Sequence, residues 1–180
     1  MIRKFLILLV GAAPALAFAQ APDPLDNSRF SSRHEEPATW QEGESDLPAY
    51  PSPENLIEFY VSATTLNKFF VDAGTLSVGA DGVVRYVLVV RTSGGAENTS
   101  YEGIHCRESK WRLYATGRMD NKETKWARAR ISEWRSIENK PVNRHHAALS
   151  RDLFCPNGDT LLNADEGRNA LRLGKHPQVD

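Results

Sequence analysis

The strongest constraint on this fold is the apolar run V-V-R-Y-V-L-V-V at residues 83–90. Consecutive side chains of a strand point to opposite faces, so the middle of this run is apolar on both faces. Asp81 and Gly82 come directly before it and favour a hairpin turn, with residues 76–78 forming the preceding strand. The run therefore predicts a central strand of a β-sheet.

Further short strands are expected on both sides of that run. Apolar residues alternate with polar ones over residues 57–61, which is typical of a half-buried strand, and residues 68–71 suit a second strand. After the central run, turn signals separate four extended segments, at residues 99–107, 110–117, 126–131 and 133–137. Successive strands joined by short turns predict an antiparallel meander.

One helix is expected after the strands. Its apolar face is formed by His146, Leu149, Leu153 and Phe154. Asn143 suits the N-cap position, and Pro156 ends the helix. A further short helical segment is expected at residues 165–173. The predicted fold class is α+β, mostly an antiparallel β-sheet meander with one C-terminal helix tied to the sheet by a disulfide.

The ends of the 180-residue chain differ from its middle. Residues 1–19 have the basic start, short apolar stretch and A-x-A site of a secretory signal peptide, with cleavage after Ala19. Residues 20–46 are acidic and poor in aliphatic side chains, which predicts a disordered or loosely docked segment. We expect one folded domain over residues 47–156 and a partly ordered tail over residues 157–180. No later apolar run is long enough to cross a membrane.

Charge is balanced overall but unevenly distributed along the chain. The 22 basic and 23 acidic residues give a formal net charge of −1. The protein as a whole therefore has no positive electrostatic field that would attract nucleic acid or anionic lipid. Residues 20–56 contain eight acidic and two basic side chains, whereas residues 107–155 contain twelve basic and six acidic ones. The two segments are therefore oppositely charged.

The chain has two cysteines, Cys106 and Cys155. Two are too few for a disulfide scaffold or a four-thiolate zinc site. In an exported chain the simplest expectation is one disulfide, which would link the helix end to the strand at residues 99–107. The alternative is a catalytic thiol paired with His145 or His146.

A basic, aromatic sheet face is expected from the strands at residues 110–117 and 126–131. If burial selects the pairing, Leu113 lies opposite Ala129 and Trp111 beside Cys106, which makes one face apolar. The same pairing sets Arg112 opposite Arg130, with an Arg128–Tyr114 cation–π pair. The other face then collects His105, Arg112, Tyr114, Trp126, Arg128 and Arg130.

Three interpretations of this basic face remain open. It could be an ordinary solvated surface, it could be covered by the acidic N-terminal segment, or it could bind an external anion or acidic partner. The planar fork of arginine matches carboxylates and phosphates, which favours recognition. Arg112 and Arg130, if directly opposite, would repel each other unless an anion lay between them.

The sequence contains no recognised catalytic or metal-binding motif. His145 and His146 should point about 100° apart on a helix, so we expect no shared metal. Ser150, His146 and Asp152 lack the spacing of a catalytic triad. The basic, aromatic strings follow from strand alternation, so we predict no nucleic-acid partner, and we expect no cofactor.

Three stretches resemble the cryptic neisserial protein-like family: G-A-D-G-V-V-R-Y at residues 79–86, N-T-S-Y-E-G-I-H-C at 98–106, and N-R-H-H-A-A-L-S-R-D-L-F-C at 143–155. The resemblance runs from about Trp40 to Pro156 and includes both cysteines. It implies a small, exported periplasmic protein of the Gram-negative envelope, without established activity and without catalytic residues to transfer. Some members are lipoproteins, but this chain lacks the lipobox cysteine.

These features favour a non-enzymatic periplasmic or envelope-associated binding module that acts through the basic, aromatic face. Its expected partner is an acidic envelope protein or an anionic ligand. The alternative is a periplasmic hydrolase or small-ligand carrier whose site the sequence does not reveal. The sequence does not indicate an oligomeric state.

Overall fold

The computed structural model describes residues 39–120, 123–141 and 144–179. The predicted signal peptide, residues 20–38 of the acidic segment and the predicted N-cap Asn143 lie outside the described residues. From Trp40 onward the described chain belongs to one structural unit.

Eight strands form one antiparallel sheet. They are β1 (Leu56–Phe59), β2 (Lys68–Asp72), β3 (Ser77–Val78), β4 (Val83–Arg91), β5 (Glu97–His105), β6 (Lys110–Asp120), β7 (Glu123–Arg128) and β8 (Arg135–Ser136). The main order is β1-β2-β4-β5-β6-β7, with β3 paired to β4 and β8 paired to β6. The predicted antiparallel meander is confirmed, and β4 is central within it.

β4 is buried on both faces because its side chains alternate between two hydrophobic clusters. Val84, Tyr86 and Leu88 pack into the larger cluster, beneath the helices. Val87 and Val89 pack into a smaller cluster on the opposite face. This two-sided burial explains why the run at residues 83–90 is apolar at nearly every position.

Helical segments cover the first face of the sheet. They are α1 (Arg144–Ala148), a π-helical turn (Leu149–Phe154), a short 3-10 turn (Pro156–Gly158) and α2 (Ala164–Leu173). The side chain of Asn163 caps α2 by accepting from the Glu166 N–H, and Gly174 ends it in a left-handed conformation. None of the described helices is both long and apolar enough to cross a membrane.

The disulfide ties this helical layer to the sheet. Cys106, directly after β5, is bonded to Cys155, directly after the π-helical turn, with a Cα–Cα distance of 5.4 Å. The predicted link is therefore confirmed, and the alternative of a catalytic thiol is wrong. Leu149, Leu153 and Phe154 are at most 1% exposed and form the centre of the core beneath the bond.

The predicted pairing of β6 with β7 is wrong by one residue. A bulge in β6 sets Leu113 opposite Glu102 and Ala115 opposite Tyr101, so that Tyr114 has no partner on β5. Beyond the bulge, Ala115 pairs with Arg128, and the side chains change face. The expected apolar face that joined Leu113 to Ala115 is therefore divided between the two clusters.

The predicted β5–β6 hairpin is wrong by two residues. Ile104 rather than Cys106 lies opposite Trp111, and His105 pairs with Lys110, because the turn contains four residues instead of two. A shift of two preserves the face of every side chain. Ile104, Cys106 and Trp111 accordingly all remain in the helix-covered core, as predicted.

The second face of the sheet is covered by residues 40–50, which we call the strap. The strap has no regular secondary structure. Leu47 packs on the smaller cluster, and Trp126 Nε1 donates to the Pro48 carbonyl over 2.8 Å. The Tyr50 ring lies 5.1 Å from that of Trp126, above Gly117, where a Cβ would overlap the Tyr50 hydroxyl. Part of the acidic segment therefore lies on the basic face.

Candidate functional site

The strap places one carboxylate, that of Glu42, against four donors of the sheet face. Glu42 Oε1 accepts from Arg85 Nη2 over 3.2 Å and from the Tyr114 hydroxyl. Glu42 Oε2 accepts from Arg112 and, over 3.0 Å, from Trp134 Nε1. The side chain of Glu42 is only 13% exposed. We call the four donors Arg85, Arg112, Tyr114 and Trp134 the carboxylate site.

Two features of the sheet allow Tyr114 to reach this site. Strand alternation places Tyr114 on the same face as Arg112, and neighbouring Gly103 leaves room for its ring, since a Cβ there would lie 2.9 Å from a Tyr114 ring carbon. Burial raises the pKa of Tyr114, and its hydrogen bond to Glu42 raises it further. The phenol therefore stays protonated and acts as a donor at neutral pH.

Arg85 supplies a buried positive charge beneath Glu42. It is 5% exposed, and its Nη2 also lies 2.5 Å from Asp81 Oδ2. Burial alone would lower the pKa of Arg85, but the hydrogen bond to Asp81 and the nearby negative charges raise it above its usual value. Burial likewise acts to raise the pKa of Asp81, whereas Arg85 and the Gly43 N–H lower it overall. Both groups are therefore charged at neutral pH.

Trp40 covers one side of the carboxylate site. Its ring stacks on His105 at a centroid distance of 4.3 Å and meets Trp134 edge-on at 5.7 Å. Trp40 Nε1 also donates to the Asp81 carbonyl over 2.8 Å. The ring contacts hold Trp134, one of the four donors, in place beside Glu42.

Four of the six residues predicted for the basic, aromatic face lie under the strap: His105, Arg112, Tyr114 and Trp126. Arg128 lies on the same face, opposite Ala115, and is exposed. Arg130 follows the end of β7 and is exposed. Across the described parts of the chain, neither Arg128 nor Arg130 has an ion-pair partner.

Two predicted contacts within this face are wrong. The pairing of β7 with β6 ends at Arg128 and Ala115, so Arg112 has no Arg130 opposite it, and the anion beside Arg112 is Glu42. The cation–π neighbours of the Tyr114 ring are the guanidinium groups of Arg112, at 5.5 Å, and Arg85, at 5.9 Å, not that of Arg128. Both differences follow from the register of β7, which sets Arg128 opposite Ala115 instead of Tyr114 and ends there.

Sequence patterns did not predict four residues of the site, which are Glu42, Trp40, Arg85 and Trp134. A signal existed for Arg85, since a lone charge in an otherwise apolar run needs a buried partner. Glu42 is one of eight acidic residues in residues 20–56, and no local pattern distinguishes it from the others. Its role depends on where the strap lies.

A second buried carboxylate, that of Glu102, lies on the helix-covered face. It accepts from the Tyr86 hydroxyl over 3.1 Å and from Ser100 Oγ over 2.7 Å, and it lies 2.8 Å from His146 Nε2. Burial acts to raise the pKa of Glu102, but hydrogen bonds from His146 and Ser100 lower it overall. An ionised carboxylate only accepts, so His146 carries a proton on Nε2.

His145 and His146 lie closer together than predicted. Their ring centroids are 4.0 Å apart, and one ligand atom from each lies within 4.8 Å of a Glu102 oxygen. Phe69 stacks on His145 and Trp111 on His146, which holds both rings in place. The expectation that the two rings diverge is therefore wrong. Burial lowers the pKa of His145 to about 4, so this imidazole is neutral at pH 7.

The order of groups around Glu102 differs from that of a serine hydrolase. In a catalytic triad the histidine lies between the serine and the acid and removes the hydroxyl proton. Here Glu102 lies between Ser100 and His146. Ser100 therefore orients the carboxylate and is not activated by the imidazole.

The model of the CNP1-like family matches residues 35–172. The chain belongs to the CNP1-like family. The match takes in the strap, the whole sheet, both cysteines and all but the last residue of α2. Glu42 and Glu102 therefore both lie within the CNP1-like part of the chain, and the resemblance to this family is confirmed.

The chain is also similar to Cryptic neisserial protein 1 of Neisseria gonorrhoeae (strain ATCC 700825 / FA 1090). The two are 28% identical over 175 residues, which is 87% of this chain and 84% of the relative. No solved structure matches this CNP1-like protein. Neither the family description nor the relative's name states an activity.

Proposed function

We propose that this protein is a non-enzymatic, exported binding module that recognises carboxylate groups of an acidic partner on its strap-covered face. The observation that carries the proposal is the set of hydrogen bonds to Glu42. Its carboxylate accepts from two guanidinium groups, a phenol and an indole N–H. Charge-assisted hydrogen bonds of this kind are stronger than hydrogen bonds between neutral groups, and arginine binds carboxylates with a defined geometry. The same donors suit an aspartate or glutamate of another chain.

The strap backbone is only weakly attached to the sheet, which supports the exchange of the strap for a partner. Within the described residues, no backbone–backbone hydrogen bond joins residues 40–50 to the sheet. The strap is held by side chains and by single contacts such as that of the Gly43 N–H with Asp81. An open cavity of about 230 Å³ lies between the strap and the side chains of Arg112 and Tyr114. An incoming carboxylate therefore has a route to Arg112.

Arg128 and Arg130 extend the positive charge beyond the strap. Both are exposed and, among the described residues, unpaired. Surface charges of this kind contribute little to stability but steer an oppositely charged partner to its site. An acidic segment with several carboxylates would meet these arginines first and the carboxylate site afterwards.

A periplasmic location is part of the proposal. The basic start of the chain and the A-x-A site at residues 17–19 support export. The disulfide supports it too, because such bonds persist in oxidising compartments. The protein recovered from the periplasmic fraction should begin at Gln20 by mass spectrometry, and a retained Met1 would contradict export.

The binding proposal is tested by fluorescence anisotropy with a labelled hexaglutamate peptide as the probe. Glu42→Ala vacates the carboxylate site, so it should bind the probe at least roughly fivefold more tightly than the native protein. Arg128→Glu combined with Arg130→Glu should weaken binding by roughly tenfold or more. Raised salt should weaken binding in all three proteins.

The matched control is Glu44→Ala. Glu44 lies on the same strap, is exposed and carries the same charge, but it does not contact the four donors. If Glu44→Ala tightened binding as much as Glu42→Ala, general electrostatics would explain the gain and the carboxylate site would not. Absence of hexaglutamate binding to every variant would overturn the proposal.

A further inference from the structure

The cluster of Glu102, His145 and His146 is independent of the strap-covered face, and the proposed function does not use it. Glu102 comes from β5, and the two histidines come from α1. One ligand atom from each residue lies within 4.8 Å of the other two. We propose that these three side chains form a binding site for a Zn²⁺ ion.

The donor set selects the class of cation. Two imidazoles and one carboxylate are the protein ligands of many zinc sites that leave a fourth position to water. Imidazole also suits Cu²⁺ and Ni²⁺, whereas Mg²⁺ and Ca²⁺ prefer oxygen ligands throughout. The site should therefore bind zinc-class cations and reject Mg²⁺ and Ca²⁺.

The hydrogen bonds of the core use Glu102 and His146 and leave the half-buried His145 free to act as a third ligand. Its ring nitrogens have no hydrogen-bond partner in the described parts of the chain, although they lie close to Glu102 and His146. His146 is 2% exposed, and its Nδ1 is also without a partner. A cation between the three side chains would give an imidazole nitrogen of His145 a ligand bond and would join it to Glu102 and His146.

The surroundings hold the three ligands in place. Ser100 and Tyr86 both donate to the Glu102 carboxylate, which fixes its orientation as the outer hydrogen bonds of metal sites do. The rings of Trp111 and Phe69 stack on His146 and His145 respectively. A cation would replace the proton now between His146 Nε2 and Glu102 Oε2, so binding should release about one proton.

The route to the site passes His145. Glu102 and His146 are buried, whereas His145 is half-buried. A cation would therefore meet His145 before the other two ligands. This makes His145 the decisive residue to change, because it carries none of the core hydrogen bonds that Glu102 carries.

The experiment is isothermal titration of untagged, chelator-treated protein with ZnCl₂, with the disulfide intact. We expect about one equivalent of Zn²⁺ with a dissociation constant in the micromolar range or below. His145→Gln should weaken binding by roughly tenfold or more, and Ser100→Ala by a smaller factor. Replacing Zn²⁺ with Co²⁺ should give a visible absorption band that His145→Gln removes.

His34→Gln is the control for adventitious histidine binding and should leave the affinity unchanged. Circular dichroism and the thermal midpoint of metal-free His145→Gln should match those of the native protein, which excludes a folding defect. Absence of stoichiometric Zn²⁺ binding would overturn the proposal. So would equal affinity of the native protein and His145→Gln, because the ion would then lie elsewhere.

Discussion

The two faces of the sheet each bury one glutamate, but they hold it in different ways. On the helix-covered face, Glu102 belongs to β5 and accepts from Tyr86 and Ser100. On the strap-covered face, Glu42 belongs to a segment without secondary structure and accepts from Tyr114 and three cationic or indole donors. The carboxylate of Glu102 is thus part of the sheet itself, whereas that of Glu42 belongs to the strap, which can separate from the sheet.

The coverings of the two faces differ correspondingly. The helices bury large apolar side chains such as Leu149 and Phe154 and are bonded to the sheet by the disulfide. The strap is held chiefly by polar side chains and stacked rings. Salt screens ionic contacts and acid protonates their carboxylates, whereas apolar burial carries no charge to screen or protonate. The helix-covered face therefore provides stability, and the strap-covered face is the one that solution conditions can open.

Removal of the disulfide should have the largest effect and should act on the helix-covered face. The bond closes a loop over a sequence separation of 49, so Cys106→Ala with Cys155→Ala should lower the free energy of unfolding by about 4 kcal/mol. Urea denaturation measures this loss. Reduction of the native protein should give a similar value. A loss below about 1 kcal/mol would show that the helices hold to the sheet without the bond.

The two glutamates offer a matched comparison. Glu102→Ala leaves buried donors of Tyr86, Ser100 and His146 without a partner and should cost about 3 kcal/mol. Glu42→Ala should cost only about 1 kcal/mol, because water can reach the vacated donors at the edge of the strap. Chemical denaturation of both variants gives the two values.

The fluorescence of the variants sharpens this comparison. Trp40, Trp126 and Trp134 all contact the strap-covered face, whereas Trp111 lies in the helix-covered core. Glu42→Ala should therefore shift the emission of the folded protein towards that of exposed tryptophan. If Glu102→Ala and Glu42→Ala lowered the free energy of unfolding equally, and Glu42→Ala left the emission unchanged, the strap would be bound to the sheet as firmly as the helices are.

Acid should loosen the strap with a smaller effect. The pKa of Asp81 is lower in the folded protein than its unfolded value of about 3.9. Burial acts to raise this pKa, but the hydrogen bond and the charge of Arg85 lower it by more. Its contribution is therefore complete above about pH 4 and is lost as the pH falls through the folded pKa. Asp81→Asn should cost about 1.5 kcal/mol at pH 7 and make the loss of stability below pH 4 less steep.

The control for the acid prediction is Asp46→Asn. Asp46 lies on the same strap and is exposed, and its side chain makes no hydrogen bond within the described residues. This variant should keep the native acid dependence when unfolding is followed by denaturant at each pH. If Asp46→Asn and Asp81→Asn had the same profile, acid would act on the strap as a whole and not through the Arg85 pair.

Local patterns were sufficient for the elements and for their order. The apolar run identified β4 as central, the helical spacing at residues 146–154 identified the covering helix, and both are confirmed. These patterns reflect burial of one or both faces, which leaves a direct signal at a period of two or 3.6 residues. Four of the six residues predicted for the basic, aromatic face lie under the strap, but the sequence did not predict their partners.

The bulge at Tyr114 is the clearest example of what local patterns did not reveal. Alternation across Trp111, Leu113 and Ala115 predicts a regular strand, yet Tyr114 is the extra residue that changes the face of Ala115. A bulge has no strict sequence signature, and here it sets Ala115 beside Tyr114 on the face where the Tyr114 hydroxyl reaches Glu42. The partner of that hydroxyl lies 72 positions away in the sequence.

The sequence by itself determined the strand pattern, the covering helix and the disulfide, because each depends on burial or chemistry that neighbouring residues express. Only the tertiary structure decided which residues form the two buried clusters. Glu42 meets Arg85 and Arg112 because the strap crosses the sheet, and Glu102 meets His145 and His146 because α1 packs over β5. Contacts between residues far apart in the chain leave no period in the sequence, so only the folded structure brings them together.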